Sequence, residues 1–152
     1  MINEFLHIAK SLNRLDITPL LYGSLGLEQR LGTYLNADDI DILIPQIYLN
    51  ENWCIIEKAM NDIGYSLYDL HEHAFEKYGT SAAFASLEEL SVFADVNIDN
   101  IPLINENGIT YHLLELNDYL KVYTASSKDG YRRDTKNKND NEKILLIKKH
   151  LM

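Results

Sequence analysis

Two short segments of this chain carry residue types and spacings that can do chemistry: Leu21-Tyr22-Gly23-Ser24 and Asp39-Ile40-Asp41-Ile42-Leu43. In the first, glycine permits a tight turn and close backbone approach. The helix expected after it offers unpaired N–H groups and the positive end of a dipole, an anion site to which the Ser24 hydroxyl adds a donor for a terminal phosphate. In the second, strand alternation puts Asp39 and Asp41 on one face and sends Ile40, Ile42 and Ile44 toward the core. Two carboxylates ~4 Å apart at an effective dielectric of about 20 repel by roughly 4 kcal/mol. A hard divalent cation removes that repulsion, and Mg²⁺ would share the pair with substrate phosphates. Each segment alone also reads as ordinary structure, a capped turn and a solvated strand face; their succession favours the chemistry. In Ser91–Ile98, read as a strand, Asp95 alternates with Phe93 and Asn97, opposite Val92, Ala94, Val96 and Ile98. Beside a metal pair, Asp95 is the natural base for an attacking hydroxyl, with Asp99 of the same parity in reserve.

Helices and strands must position these residues. Ile2, Phe5, Leu6, Ala9 and Leu12 recur at helical spacing, and Leu20 to Tyr22 read as a short buried strand after Pro19. Ser24 is expected to cap a helix from about Leu25 to Leu31, stopped by Gly32. A polar loop, Thr33 to Asp38, leads into a strand from Asp39 to Ile44 closed by Pro45. Trp53, Ile56, Ala59, Met60 and Ile63 form a second amphipathic helix ending at Gly64. Strand character follows in 65–68, 74–78, 82–86 and 91–98. Asn107-Gly108 marks a hairpin between 102–104 and 109–111. Leu116, Tyr119, Leu120 and Tyr123 predict a third amphipathic helix. A mostly basic loop, 126–139, precedes a terminal helix with Ile144, Ile147 and Leu151. This order predicts one α+β domain over 1–152, a mixed β-sheet with flanking helices and with C-terminal helices 116–152 packed on it.

The chain has 152 residues, enough for one core burying about 70% of its unfolded surface. Its 14 basic and 23 acidic residues leave a charge of −9, which excludes bulk nucleic-acid binding but not one nucleotide held by a local cluster and a metal. One cysteine, Cys54, excludes an internal disulfide and is read as a small buried hydrophobe. No apolar run reaches 18 residues and the N-terminus lacks a signal-peptide core, so neither membrane association nor export is expected and the cytoplasm is the default. His71-Glu72-His73 would put both imidazoles on one strand face, a weak metal pair without further ligands. An acidic cleft favours a cationic acceptor, and small size alone suggests a homodimer sharing the acceptor site.

Gly23-Ser24, a helix, Asp39-Ile40-Asp41 on a strand and a later acid at Asp95 together resemble the nucleotidyltransferase superfamily of the DNA polymerase β type. More narrowly, the pattern is similar to small bacterial nucleotidyltransferases that modify lincosamide and aminoglycoside antibiotics. The resemblance implies a nucleotidyltransferase-like fold, with Gly23 and Ser24 binding the triphosphate of an NTP co-substrate and Asp39 and Asp41 holding two Mg²⁺ ions, or Mn²⁺ in their place. Asp95, as the third acid, would complete the metal site or act as base. The implied reaction is attack of a small acceptor's hydroxyl on the α-phosphate, releasing pyrophosphate. The tail of the family further implies Lys121, or Arg132 or Arg133, as neutraliser of the triphosphate; Lys136, Lys138 and Asp140 lie nearby. Gly26 departs from the pattern inside its helix, and Arg30 and Thr33 are displaced from the positions the family uses. Two alternatives stay open: an antitoxin of this fold that modifies or masks a partner protein, and a nucleotide-binding module without turnover.

Overall fold

The computed structural model describes residues 1–128 and 137–152, with side chains through Lys128 and from Asp140 onward. Helix α1 (Ile2–Asn13) forms where Phe5, Ile8, Ala9 and Leu12 share one fully buried face. Strand β1 (Leu20–Tyr22) runs straight into α2 (Gly23–Leu31), which ends at Gly32 in the left-handed conformation, φ 69°. Strand β2 (Ile40–Ile44) and α3 (Trp53–Asp62) follow, then β3 (Ser66–Asp69), β4 (Ala74–Lys77) and β5 (Thr80–Ser86). Helix α4 (Glu89–Ala94) precedes the hairpin β6 (Leu103–Glu106) and β7 (Ile109–Leu113), whose turn residues Asn107 and Gly108 both have positive φ. Helices α5 (Leu116–Lys128) and α6 (Asn137–Leu151) complete the described chain.

The seven strands form one mixed sheet in the order β3-β4-β5-β2-β1-β7-β6. Pairing is parallel for β1–β7 and β2–β5 and antiparallel elsewhere. Together with six described helices this is an α+β fold. Helices α1 and α3 cover one face, packing Phe5, Ile8, Ile56 and Met60 against Ile40, Ile42 and Ile44 of β2. On the other face, Leu27, Leu90, Val122 and Ile147 gather from α2, α4, α5 and α6 over Leu20 and Leu43. Strand β2 is therefore apolar on both sides, and Asp41, on the face of Leu43, interrupts it.

Several expectations are corrected. Residues 91–98 are not a strand: Leu90 and Ala94, one helical turn apart, are buried in α4 while Val92 is 88% exposed. Of the apolar residues that alternate in the sequence, Val92 is on the exposed side of α4 and Val96 follows the helix, leaving Leu90 and Ala94 as its buried stripe. Asp95 caps that helix in the left-handed conformation, φ 57°, so it shares no sheet face with the aspartate pair. His71-Glu72-His73 forms the turn between β3 and β4. Cys54 is exposed, because α3 turns Ile56 and Met60 inward. Strand β2 begins at Ile40, leaving Asp39 just outside it, and α2 begins at Gly23, so Ser24 sits in its first turn. Gly26 is explained by packing: a Cβ there would collide with the Tyr119 hydroxyl and lie 2.7 Å from the Leu21 carbonyl oxygen. Arg30 is spent on the fold, its Nε and Nη2 donating to the carbonyls of Leu114 and Leu113 at 2.8 and 3.0 Å. No described helix is long and apolar enough to cross a membrane.

Candidate active site

The antiparallel register of β1 and β2 sets Tyr22 opposite Asp41, so the chain leaves β1 directly beside that carboxylate. The next residue must turn sharply there, and Gly23 does so at φ +65°. A Cβ on Gly23 would run into Asp41 Oδ2. Two separate demands, positive φ and contact with the carboxylate, thus exclude a side chain at this position. Asp39, one residue before β2, is exposed, and Asp41 is half-buried. Gly23, Ser24, Asp39 and Asp41 all line one cleft of about 1080 Å³, lined also by Glu72, Tyr123 and Lys143.

Among the described residues, Lys143 brings a cation to the Gly23-Ser24 turn. Its Nζ donates to Ser24 Oγ at 2.7 Å and stands 5.1 Å above the Tyr123 ring. Helix α6 is docked one turn earlier by Asp140, fully buried, which accepts from Ser126 Oγ of α5 at 2.9 Å. Ile147, also fully buried, continues the same face. Lys143 is not singled out in the sequence; it lies beyond the basic loop, inside the terminal helix. Its signal lies in the spacing of Asp140, Lys143 and Ile147, which puts a charge pair on the inward face.

Below the turn, the Tyr119 hydroxyl donates to the Leu21 carbonyl at 3.4 Å, and the Tyr119 and Tyr123 rings stack at 6.1 Å. Burial pushes both phenols above the ordinary tyrosine value. For Tyr123 the Tyr22 phenol and the carboxylates of Asp140 and Asp41 add to this, while a hydrogen bond with Ser24 opposes it. Both therefore stay neutral near neutral pH, able to donate hydrogen bonds and unsuited to act as bases.

Two of the residues singled out from the sequence lie elsewhere. Lys121 Nζ donates to the backbone carbonyl of Asp95 at 3.1 Å, and neither residue lines the cleft. Among the described residues no group of three His, Cys, Asp or Glu side chains is disposed to hold a metal ion. Arg132, Arg133 and Lys136 lie outside the described residues, as does the side chain of Lys138.

No family model matches the sequence. Over 148 residues it is 49% identical to the uncharacterized protein YnaI of Bacillus subtilis (strain 168), covering 97% of this chain and 95% of that protein. The chain belongs to the YnaI family. Its structure is similar to that of ANT(2")-Ia in complex with adenylyl-2"-tobramycin, with a TM-score of 0.59 and 14% identity over 95% of this chain and 86% of that one. A solution structure of the antibiotic-resistance factor ANT(2'')-Ia matches at a TM-score of 0.54 and 15% identity, over 99% of this chain and 92% of that one. The fold is thus nucleotidyltransferase-like.

Proposed function

We propose that the chain, acting as one unit over residues 1–152, transfers a nucleoside monophosphate from a Mg²⁺-bound NTP to a hydroxyl of a small acceptor, releasing pyrophosphate. The observation that carries this reading is the seating of Gly23 against Asp41, with Lys143 on Ser24 at the same turn. It joins an anion-binding turn, a cation and a carboxylate pair in one cleft. The donor set fits the metal: Asp39 and Asp41 offer hard carboxylate oxygens, and Mg²⁺ characteristically takes one or two carboxylates and completes its shell with phosphate oxygens and water. When bound, the ion would stabilise charge on the oxygens of an in-line displacement.

The chain's own residues do the rest. The first-turn N–H groups of α2 and the Ser24 hydroxyl bind phosphate oxygens. Lys143 exchanges Ser24 for the triphosphate, orienting the leaving pyrophosphate and balancing its charge. Tyr119 and Tyr123 wall the phosphate end with neutral donors. ANT(2")-Ia, bound to adenylyl-2"-tobramycin, supports an amine-bearing, antibiotic-like acceptor, in keeping with the acidic charge of −9. The reading places the activity in the cytoplasm, where NTP and Mg²⁺ are at hand. A second reading, nucleotide binding without turnover, is favoured by one observation: β5 sets Ala83, not an acid, beside Asp41.

The test is pyrophosphate release from ATP, GTP, CTP and UTP, each with Mg²⁺ and with tobramycin or water as acceptor, with products weighed by mass spectrometry. Mg²⁺-dependent pyrophosphate and an acceptor heavier by one nucleotide support the proposal. Nucleotide binding with no pyrophosphate from any NTP would support the second reading instead.

A further inference from the structure

The nucleotidyl-transfer reading, on which this inference rests, fixes the side from which the acceptor must come. In an in-line displacement the attacking and leaving oxygens stand on opposite sides of phosphorus. Ser24 and Lys143 lie at the end of β1, so pyrophosphate departs on the β1 side of Asp41. The sheet order places β5 and then β4 on the other side. There the register sets Ala83 beside Asp41, Ala85 beside Leu43, and Ala74 beside Ala83. Ala85 is exposed and Ala83 half-exposed, so the floor next to the carboxylate pair is a shelf of methyl groups. A mostly apolar recess of about 110 Å³ extends it, bounded by Ala85, Leu43, Leu90 and Phe93 and lined also by Ser86 and Glu89.

The carboxylates lining the cleft, among the described residues, are Asp38, Asp39, Asp41, Glu72 and Glu142. Asp38 precedes the pair, and Glu142 adjoins Lys143 on the leaving-group side. Glu72 comes from the β4 side. The Phe84 N–H donates to the His73 carbonyl at 3.1 Å, and His73 turns the chain at φ 52°. Glu72, in that turn, lines the same cleft as Asp39 and Asp41. The turn is held on both flanks of Glu72: its N–H donates to Asp69 Oδ1 at 3.2 Å, and the neighbouring His73 ring meets Trp53 edge-on at 4.7 Å.

We infer that the acceptor lies over the Ala83–Ala85 shelf and that Glu72, rather than an acid on the neighbouring strand, takes the proton of its attacking hydroxyl. The acceptor oxygen bonds to the α-phosphorus and the bond from that phosphorus to the bridging oxygen breaks. Its electron pair leaves on pyrophosphate, and the hydroxyl proton passes to Glu72. The Glu72 side chain is 68% exposed, so its replacement leaves the fold intact.

The experiment uses the full chain with Mg²⁺·NTP and water as acceptor, reading pyrophosphate release alongside thermal stabilisation by Mg²⁺·NTP. Glu72→Gln is expected to keep the stabilisation and the nucleotide KM while lowering kcat about 100-fold, within the range of a general base. Adding Ala83→Asp, which creates an acid beside Asp41, is expected to recover at least about tenfold of that loss. Wild-type kcat in Glu72→Gln would overturn the assignment while leaving nucleotidyl transfer standing. So would a wild-type protein that binds nucleotide but releases pyrophosphate only after Ala83→Asp. Absence of any nucleotide-dependent stabilisation in the wild type would instead sink the nucleotidyl-transfer reading itself.

Discussion

The two flanks of β2 are built in opposite ways. On the β1 side, each residue at the site is fixed by more than one contact: Gly23 by its positive φ and by Asp41, Ser24 by Tyr123 and Lys143, and α6 by buried Asp140 and Ile147. On the β5 side, the floor is alanine, the wall is the short helix α4 with Phe93 43% exposed and Glu89 lining the recess, and Glu72 enters the cleft from a turn. A triphosphate has the same shape whatever receives the nucleotide, and a rigid backbone cradle suits it. An open methyl shelf imposes little shape. On the proposed function, precision would be concentrated at the triphosphate and relaxed at the acceptor.

That contrast can be broken at several points. Asp41→Asn should cost the most, lowering pyrophosphate release about 10³-fold by removing a charged group that fixes the phosphoryl end. Gly23→Ala comes next: left-handed backbone at a residue with a Cβ costs about 1–2 kcal/mol. The displaced Asp41 carboxylate should cost about 100-fold in rate as well; a melting curve and a rate on the same variant separate the two. Lys143→Ala should weaken NTP binding roughly 10- to 100-fold, the value of one charge-assisted hydrogen bond, read as KM or by titration. The smallest effect sharpens the comparison from the other side. Asp95→Asn and Lys121→Ala should leave rate and nucleotide KM within about twofold of wild type, because their contact is with each other and away from the cleft.

The sequence reveals this architecture unevenly. Strand β1, the core stripe of Ile40, Ile42 and Ile44, and the Asn107-Gly108 hairpin were legible because each follows a local rule of period or turn chemistry. Gly23, Ser24 and Asp41 were legible as a group because only helix α2 and a short loop separate them. The face of Asp95 was not, since a helix of six residues is too short to show its period and the apolar residues Val92, Ala94 and Val96 alternate by chance. Lys143 was not legible, because its partner, Ser24, is 119 positions away and only tertiary packing of α6 joins them. Glu72 reads in the sequence only as the middle of a histidine pair; its place in the cleft comes from the turn between β3 and β4.

Thermal unfolding of the wild type and Asp41→Asn in ATP, GTP, CTP and UTP, each with and without Mg²⁺, puts the nucleotide site to the test. At least one nucleotide is expected to stabilise the wild type only when Mg²⁺ is present, by about 2.7 kcal/mol at a hundredfold excess over Kd, and to leave Asp41→Asn unmoved. Equal stabilisation of both proteins, or none with any nucleotide, would contradict a Mg²⁺-dependent nucleotide site at Asp41.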